Sequence, residues 1–397
     1  MRIADVRVVG KRLRGVGLVE VESDSGLVGI GSTSAPPPVF AAIVEQGPDA
    51  LKPMLLGRDP RQPLRLWREM FEGWQARRGR GGEGGMAVNA MAAIDMALWD
   101  LAGKAAGQPL HRMLGGAVMD RVEVYASATA ADQAASADLP GGRWERKSKD
   151  RFVEECKAYV AAGFKAIKFG WGNAFDDGHI ETLKAMREAV GAEVKLALDF
   201  GCPAYNRPDH GVREAIAIAR KLEPLDLFFL EEALKPYDVD GFAALTAASP
   251  VRIATGESLV TLTDFQQFIG RRAIDIVQAD AQQIGVTVFR QVAALAEAAG
   301  MWTIPHCPWT AMAIGAHLQV LCTHASTVLI EYPAMAGYDP DDWRRTVTEA
   351  MNFRIVDSPP PFVDGCIEVT GRPGLGLGQY VPEVIAELEE LEAGSGN

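Results

Sequence analysis

The sequence predicts an α/β protein whose main domain is a barrel of parallel strands joined by helices. From Val122 onward, short apolar segments alternate with amphipathic segments of helical period. Eight such apolar segments occur, and each is apolar enough to be buried on both faces, as strands of parallel sheets are. Eight strands close a (β/α) barrel, whereas an open, doubly wound sheet is the alternative topology for the same pattern.

Roughly the first 115 residues follow a different pattern, which predicts an α+β domain. Alternating apolar residues in "RIADVRVVG" and "VGLVEVESDSGLVGIG" predict strands, with "SDSG" as a hairpin turn. Helical periodicity then runs through "PLRLWREMFEGW" and through "AVNAMAAIDMALWDLAGKAAG", which ends at a glycine.

The barrel strands are predicted from their apolar cores, and helical segments such as "RFVEECKAYVAAG" lie between them. Near the C-terminus, "FVDGCIEVTGRPGLGLG" returns to strand signals, and we expect it to pack on the N-terminal domain. The eight predicted strands are "VEVYAS", "FKAIKF", "VKLALDF", "LFFLEEAL", "RIATGES", "IDIVQAD", "MWTIPHC" and "TVLIEYP".

The amino-acid composition indicates which classes of binding partner the protein is expected to have. The net charge of −12 argues against nucleic acid and anionic membranes, because both select basic surfaces. Five cysteines, an odd number in a long chain, predict reduced core thiols, and no apolar stretch has the length of a signal peptide or membrane span. We therefore expect a cytoplasmic protein that binds a small molecule, with no nucleic acid and no membrane as partner.

Charged residues stand at the ends of six consecutive predicted strands. Neighbouring positions are separated by one strand-plus-helix unit, so all six side chains should meet at the C-terminal mouth of the barrel, where barrel enzymes keep their sites. The six residues are Asp199, Glu231, Glu257, Asp280, His306 and Glu331.

These side chains suggest a metal and a base. Carboxylates on adjacent strands repel one another unless a cation neutralises them, and oxygen-only ligands fit Mg²⁺ better than Zn²⁺. Beyond them, Asp280 could accept a hydrogen bond from one nitrogen of His306, which makes the other nitrogen a better base. Four other histidines have no acidic partner in the pattern and are expected to be structural: His111, His179, His317 and His324.

Several stretches together form a pattern that none of them carries alone: "NAMAAIDMALWDLAGKAAGQPLHRMLGG", "GFKAIK", "LALDFG", "LEEALKPYD", "ATGESL", "DIVQADAQQIGVT", "IPHCP" and "RPGLGLG". With them the chain resembles the enolase superfamily, and within it the mandelate racemase-like group, over nearly its full length. The resemblance implies a (β/α)7β modified TIM barrel at residues 119–338. It also implies an α+β capping domain built from residues 1–118, with residues 339–397 packing back on it.

The resemblance also assigns roles to the strand-end residues. It implies that Asp199, Glu231 and Glu257 bind Mg²⁺, and that Asp280 and His306 form the catalytic dyad. Glu331 is then the acid that hydrogen-bonds the substrate carboxylate. The step shared by the family is removal of the proton α to a carboxylate, which gives an enediolate and needs strong electrostatic help.

The second barrel strand departs from the pattern of relatives that carry Lys-x-Lys there. Here the triplet is Lys168-Phe169-Gly170, so the resemblance places Lys168 near the substrate carboxylate and glycine at the position of the second base. Two alternatives stay open: the glycine only makes room, for bulky substrate or for Trp171, or Lys168 itself reaches the α carbon. Lys168 could also simply pair with the metal-binding carboxylates.

A single base favours syn dehydration of an acid sugar (aldonate or aldarate) to a 2-keto-3-deoxy acid, which makes the protein a lyase. Epimerisation, racemisation or cycloisomerisation through the same enediolate is the alternative, and a non-catalytic acid-sugar-binding homologue is a remote one. A Rossmann-type oxidoreductase is disfavoured because "PGLGLG" follows no barrel strand and opens no helix.

Two loop residues are predicted to contact the substrate. Thr33 belongs to "GSTSAPPPVF", a proline-stiffened stretch of the capping domain suited to a lid. Arg80 belongs to the basic loop "QARRGRGGEGG", which could bind a distal carboxylate or be a solvated loop. The resemblance further implies a homo-oligomer, a dimer or an octamer.

Overall fold

The structure of the protein is a computed structural model that describes residues 1–13, 15–78, 85–132, 145–172, 174–202, 210–306, 310–333 and 354–394. Arg80 therefore lies outside the described residues, as does most of the segment after the first barrel strand. Within the described ranges, no helix is both long enough and apolar enough to cross a membrane.

The N-terminal region forms an antiparallel three-stranded sheet followed by helices. The strands β1 (Ile3–Val9), β2 (Gly17–Ser23) and β3 (Val28–Thr33) pair in this order, and the predicted "SDSG" turn joins β2 to β3. The helix α4 is buried over most of its length and packs between β3 and the barrel. The helices are α1 (Pro37–Glu45), α2 (Leu51–Leu55), α3 (Pro63–Arg78), α4 (Met86–Ala106) and α5 (Leu110–Met113).

The second region is a closed barrel, which confirms the predicted fold class and excludes the open sheet. Its first strand pairs with the second and with the last, and a parallel bridge between Thr303 and Thr327 completes the ring. Among the described residues, the eight parallel strands are β4 (Arg121–Thr129), β7 (Ala166–Gly170), β8 (Lys195–Asp199), β9 (Phe229–Glu231), β10 (Ile253–Thr255), β11 (Ile276–Val277), β12 (Trp302–Thr303) and β13 (Ile330–Pro333). Between β4 and β7, the short strands β5 (Ala131–Asp132) and β6 (Glu145–Arg146) pair with each other.

Helices connect the strands on the outside of the barrel, and apolar side chains fill its inside below the mouth. The inner cluster takes one residue from each strand or its flank, including Tyr125 and Phe229. The helices are α6 (Lys149–Ala161), α7 (Asp177–Val190), α8 (Val212–Leu222), α9 (Val239–Ala248), α10 (Leu262–Gly270), α11 (Ala281–Ala298) and α12 (Ala311–Leu321).

The C-terminal segment contacts both regions. The hairpin β14 (Phe362–Val363) and β15 (Cys366–Glu368) adds to the barrel sheet, because β15 pairs antiparallel with β4. The Tyr380 hydroxyl donates to the Gly31 carbonyl at 2.7 Å, and α13 (Pro382–Gly394) follows. The C-terminal segment thus contacts the capping sheet as well as the barrel sheet.

The carboxylate of Asp100 on α4 ties these pieces together. It accepts the backbone N–H of Ile30 at 3.1 Å and of Leu375 at 2.9 Å, and it lies 2.6 Å from Lys104 Nζ. Gly374 has a φ of 67°, and a Cβ at that position would stand only 2.1 Å from an Asp100 oxygen. Only glycine allows this close approach of the C-terminal segment to α4.

Candidate active site

The C-terminal ends of the barrel strands place the predicted site residues at one mouth. Asp199 and Glu231 are register partners at the last positions of β8 and β9. Glu257 follows β10, and Asp280 is the residue directly before α11. The side chain of Glu231 is fully buried, so its charge needs a partner within the protein or a bound cation.

In this structure the partner of Glu231 is Lys168 on β7. Lys168 Nζ donates to both carboxylate oxygens of Glu231, at 2.9 and 2.8 Å, and lies 3.1 Å from Glu331 Oε1. Burial by itself lowers the pKa of Lys168, but the charges of Glu231 and Glu331 raise it well above its ordinary value. The pairing of Lys168 with carboxylates, one of the predicted alternatives, is therefore present.

The acid cluster, which consists of Asp199, Glu231 and Glu257, is electrostatically suited to a divalent cation. Burial raises the pKa of Asp199 to about 6; Lys168 opposes this shift, and the charge of Glu257 adds to it. Among the described residues no three acidic, histidine or cysteine side chains already stand at metal-binding distances, because Lys168 and His306 lie against the acids. The oxygen-only donor set and the positive charge already drawn to Glu231 fit Mg²⁺, which remains a prediction.

His306 lies between two carboxylates. Its Nδ1 is 3.3 Å from Asp280 Oδ2, at the long end of a hydrogen bond, and its Nε2 is 3.2 Å from Glu257 Oε2. Burial lowers the pKa of His306, but the charge of Glu257 and the hydrogen bond with Asp280 outweigh it and raise this pKa well above its ordinary value. Nε2 is the nitrogen directed towards the acid cluster, so it is the one placed to exchange a proton with a substrate.

Glu331 closes the site on the side of the first strand. Its Oε1 accepts the Ser127 hydroxyl and faces Lys168 Nζ, and its side chain is almost completely buried. Tyr125, on β4 below this group, has its ring 5.5 Å from the same ammonium group. Neither Ser127 nor Tyr125 was predicted from the sequence, although both belong to a strand that the sequence did predict.

Two further polar residues contact the site without having been predicted. Gln278 Nε2 donates to Glu231 Oε2 at 2.7 Å, and the side chain of Gln278 is fully buried. Gln278 stands two residues before Asp280, and strand alternation gives both the same face, so this signal was available. Glu232 is buried with a left-handed φ of 49°, and burial followed by the charge of Glu257 raises its pKa to about 8.

The histidines expected to lack acidic partners require a correction. Three of the four lie beside carboxylates: His179 Nδ1 is 2.7 Å from Asp176, His324 Nδ1 is 2.9 Å from Glu297, and His317 Nε2 is 3.4 Å from Asp280. Asp176 is the N-cap of the helix that carries His179 and lies only three residues before it, so the sequence did offer this partner. The partners of His317 and His324 come from a neighbouring barrel unit, which a pattern read along the chain does not bring together.

Gly170 has open space on its side-chain face. A Cβ there would meet only the Ala128 carbonyl oxygen, at an ordinary 3.6 Å, and its φ is not in the left-handed region. Trp171 does not need this space, because its ring packs on Phe152 and lies 4.0 Å from the Arg146 guanidinium. The backbone therefore does not require glycine at this position.

Of the two loop residues predicted to contact the substrate, only Thr33 belongs to the described residues. Its side chain is fully buried, and its hydroxyl accepts the Ala35 N–H at 3.3 Å. The neighbouring Ser32 contacts the Thr310 hydroxyl at 2.8 Å and accepts from Gln282 at 2.8 Å. The strand that carries Thr33 thus contacts the two segments that lead into α11 and α12, next to Asp280.

Comparison with known proteins gives relatives that match nearly the whole chain. A 3,6-anhydro-α-L-galactonate cycloisomerase from Streptomyces coelicolor is 33% identical and covers 90% of this chain and 87% of its own. A D-galactonate dehydratase from Xanthomonas oryzae pv. oryzae is 29% identical, with the same two coverages. The structure of a racemase from Streptomyces coelicolor with bound magnesium superposes with a TM-score of 0.77 at 27% identity, over 97% of this chain and 99% of that one.

Two family models divide the chain between them. Residues 9–115 match the N-terminal domain of mandelate racemase and muconate lactonizing enzyme, and residues 151–379 match the enolase C-terminal domain-like family. The first model covers β2, β3 and the helices α1 to α5, and the second covers the strands that carry the acid cluster and His306. The chain therefore belongs to the mandelate racemase/muconate lactonizing enzyme family of the enolase superfamily.

Proposed function

We propose that the protein is a Mg²⁺-dependent dehydratase of acid sugars. The observation that carries this proposal is the asymmetry of the mouth: His306, backed by Asp280, stands at one side, and Gly170 offers no side chain on β7. A site with one proton-transferring group favours elimination over inversion, since inversion needs proton transfer on both faces of the α carbon.

In the proposed reaction, His306 Nε2 removes the proton from the carbon α to the substrate carboxylate, which gives an enediolate. The imidazolium then returns this proton to the β-hydroxyl, the C–O bond breaks, and water leaves. The resulting enol tautomerises to a 2-keto-3-deoxy acid. Asp280 accepts from Nδ1 throughout, so it holds the ring orientation and stabilises the imidazolium.

Other residues bind and orient the substrate and the metal. Asp199, Glu231 and Glu257 would hold Mg²⁺, with Gln278 keeping Glu231 in place. When bound, Mg²⁺ supplies positive charge at the substrate carboxylate, where negative charge develops. Lys168 would leave Glu231 for the substrate carboxylate, and Glu331 would bind the same group.

Cycloisomerisation is the second candidate, favoured by the 33% identity to a cycloisomerase. It begins with the same removal of the α proton and differs in which β bond breaks. The two activities are therefore separated by which substrate is consumed, an open-chain acid or an anhydro acid, rather than by their first step.

The test is incubation of the Mg²⁺-loaded protein in D₂O with a panel of aldonates and aldarates that includes D-galactonate, and with a 3,6-anhydrogalactonate. NMR follows the α proton, and a colorimetric assay detects 2-keto acids. Keto-acid formation from an open-chain acid that is absent in His306→Asn supports the dehydratase. Exchange of the α proton with inversion and without keto acid would reject it.

A gain-of-function variant tests the role of the empty position. Gly170→Lys places an amine on β7 at a position with room for a Cβ, and we expect it to add exchange of the α proton on the opposite face. Gly170→Met is the matched control, because it adds a side chain of similar length without a basic group. If both variants behave alike, the glycine has no part in stereochemistry.

A further inference from the structure

We propose that His317 is a positioning residue that fixes Asp280 for its work on His306. His317 lies on α12, is fully buried, and was expected to be purely structural. Its Nε2 accepts the backbone N–H of Ala281 at 3.0 Å and lies 3.4 Å from Asp280 Oδ1. This inference rests on the proposed role of the Asp280–His306 pair.

The start of α11 has backbone N–H groups that need acceptors. The N–H groups in the first turn of a helix have no partner within the helix. Asp280 is the N-cap of α11, and its Oδ1 accepts the Gln282 N–H at 2.8 Å. The preceding N–H, that of Ala281, is accepted by His317 instead. Two adjacent donors are thus shared between a carboxylate oxygen and an imidazole nitrogen.

Without the imidazole of His317, the start of α11 would lose an acceptor. The Ala281 N–H would then be buried and unsatisfied, which is unfavourable. In the wild-type structure His317 Nε2 accepts this N–H, and Asp280 Oδ1 lies 3.4 Å from that nitrogen. Asp280 Oδ1 is therefore the neighbouring acceptor. A carboxylate that turns towards Ala281 moves its other oxygen away from His306 Nδ1, which is already at 3.3 Å. His317 therefore keeps Asp280 free to face His306.

The hydrogen bond from Ala281 also fixes the tautomer of His317. Because Nε2 accepts a backbone N–H, it carries no proton, and the proton of the neutral ring lies on Nδ1. Among the described residues Nδ1 has no hydrogen-bond partner, and the ring packs 4.9 Å from Phe289. This is a specific, measurable state, which a residue serving only to fill the core would not need.

The test compares His317→Gln with His317→Met. Glutamine can present its Oε1 where Nε2 stands, whereas methionine has a similar length but is only a weak acceptor. For the Mg²⁺-loaded enzyme we expect His317→Met to lower kcat about 10- to 100-fold with KM nearly unchanged, as a small misplacement of the base does. We expect His317→Gln to recover most of that loss. The matched control is His324→Met, whose His–carboxylate contact with Glu297 lies outside the site.

A second readout does not depend on turnover. In ¹⁵N-histidine-labelled protein, the ring signal lost in His317→Gln should have a protonated Nδ1 and an unprotonated Nε2. The His306 ring signal should shift in His317→Met and stay in place in His317→Gln. If no acid sugar is turned over while these signals behave as expected, the proposed reaction fails and the positioning role stands. A protonated Nε2 on His317, an unshifted His306 signal in His317→Met, equal losses in both variants, or full kcat in His317→Met would each overturn it.

Discussion

The carboxylates on α4 and the carboxylates at the barrel mouth are neutralised by different sets of donors. On α4, Asp100 accepts two backbone N–H groups, and Asp95 accepts the backbone N–H and the hydroxyl of Thr287 at 2.7 Å each. At the barrel mouth, the buried Glu231 is paired with the side chains of Lys168 and Gln278, and Glu257, whose side chain is partly exposed, is paired with His306.

The difference separates permanent contacts from exchangeable ones. A backbone donor cannot leave its carboxylate without unfolding, so the α4 acids belong to the fold. A side-chain donor leaves by rotating about its own bonds, so under the proposed function the mouth acids exchange Lys168 and His306 for a metal ion and a substrate. Burial of a carboxylate thus does not by itself mark a functional group; Glu231 differs from Asp100 in that its donors among the described residues are all side chains, Lys168 and Gln278.

The largest effect is expected from His306→Asn. Removing the proposed base should lower kcat about 10²- to 10⁴-fold, because this is the usual contribution of general acid–base catalysis. The thermal midpoint should stay close to that of the wild type, since the contacts of His306 are exchangeable ones. Steady-state kinetics with calorimetry tests this, and a large drop in the midpoint would place His306 among the structural groups instead.

The opposite behaviour is expected from Asp100→Ala on α4. It leaves two backbone donors and Lys104 without their acceptor, so the free energy of unfolding should fall by about 3–5 kcal/mol, as for other broken buried pairs. Urea denaturation measures this loss. Gly374→Ala should weaken the same contact, because its Cβ would collide with Asp100. An unchanged midpoint in both variants would contradict the assignment of this contact to the fold.

Metal addition should distinguish the two regions directly. At a Mg²⁺ concentration 100 times the Kd, binding to the folded state alone adds about 2.7 kcal/mol to the free energy of unfolding. Glu231→Gln should abolish this increment, whereas Asp100→Ala should retain it from a lower starting point. Thermal unfolding with and without EDTA provides the measurement, and an increment that survives Glu231→Gln would place the metal elsewhere.

The smallest effect is expected from Gly170→Ala. The added methyl group meets only the Ala128 oxygen at 3.6 Å, so the free energy of unfolding should change by no more than about 1 kcal/mol. Urea denaturation beside Gly374→Ala gives the contrast between a glycine that the fold requires and one that it does not. A loss for Gly170→Ala as large as for Gly374→Ala would remove this distinction.

Much of the fold could be predicted because apolar segments of strand length recur between amphipathic helices. All eight predicted barrel strands are present, although β11 and β12 are paired over only two residues each. The strand-end residues Asp199, Glu231 and Asp280 could be found because each follows an apolar core. The contacts of these residues could not be predicted, because the register between strands determines which cationic side chain lies beside which carboxylate.

The residues that were missed differ in what could have revealed them. Gln278 shares a strand face with Asp280, so alternation predicts that both point into the barrel. His317 gives no such signal, because α12 is buried on all sides and no apolar stripe singles out one face. Its contact with Asp280 forms only when α12 packs beside the start of α11. This contact therefore depends on tertiary packing, which the local sequence pattern does not show.

The closure of the capping sheet by the C-terminal segment has a consequence for biosynthesis. Ile30 and Gly31 leave the ribosome more than 300 residues before Leu375 and Tyr380, which complete their surroundings. The cap therefore stays unfinished while the entire barrel is being translated. A nascent chain released before residue 375 carries every proposed metal-binding and acid–base residue, yet it lacks the contacts that join β3 and α4 to the C-terminal segment.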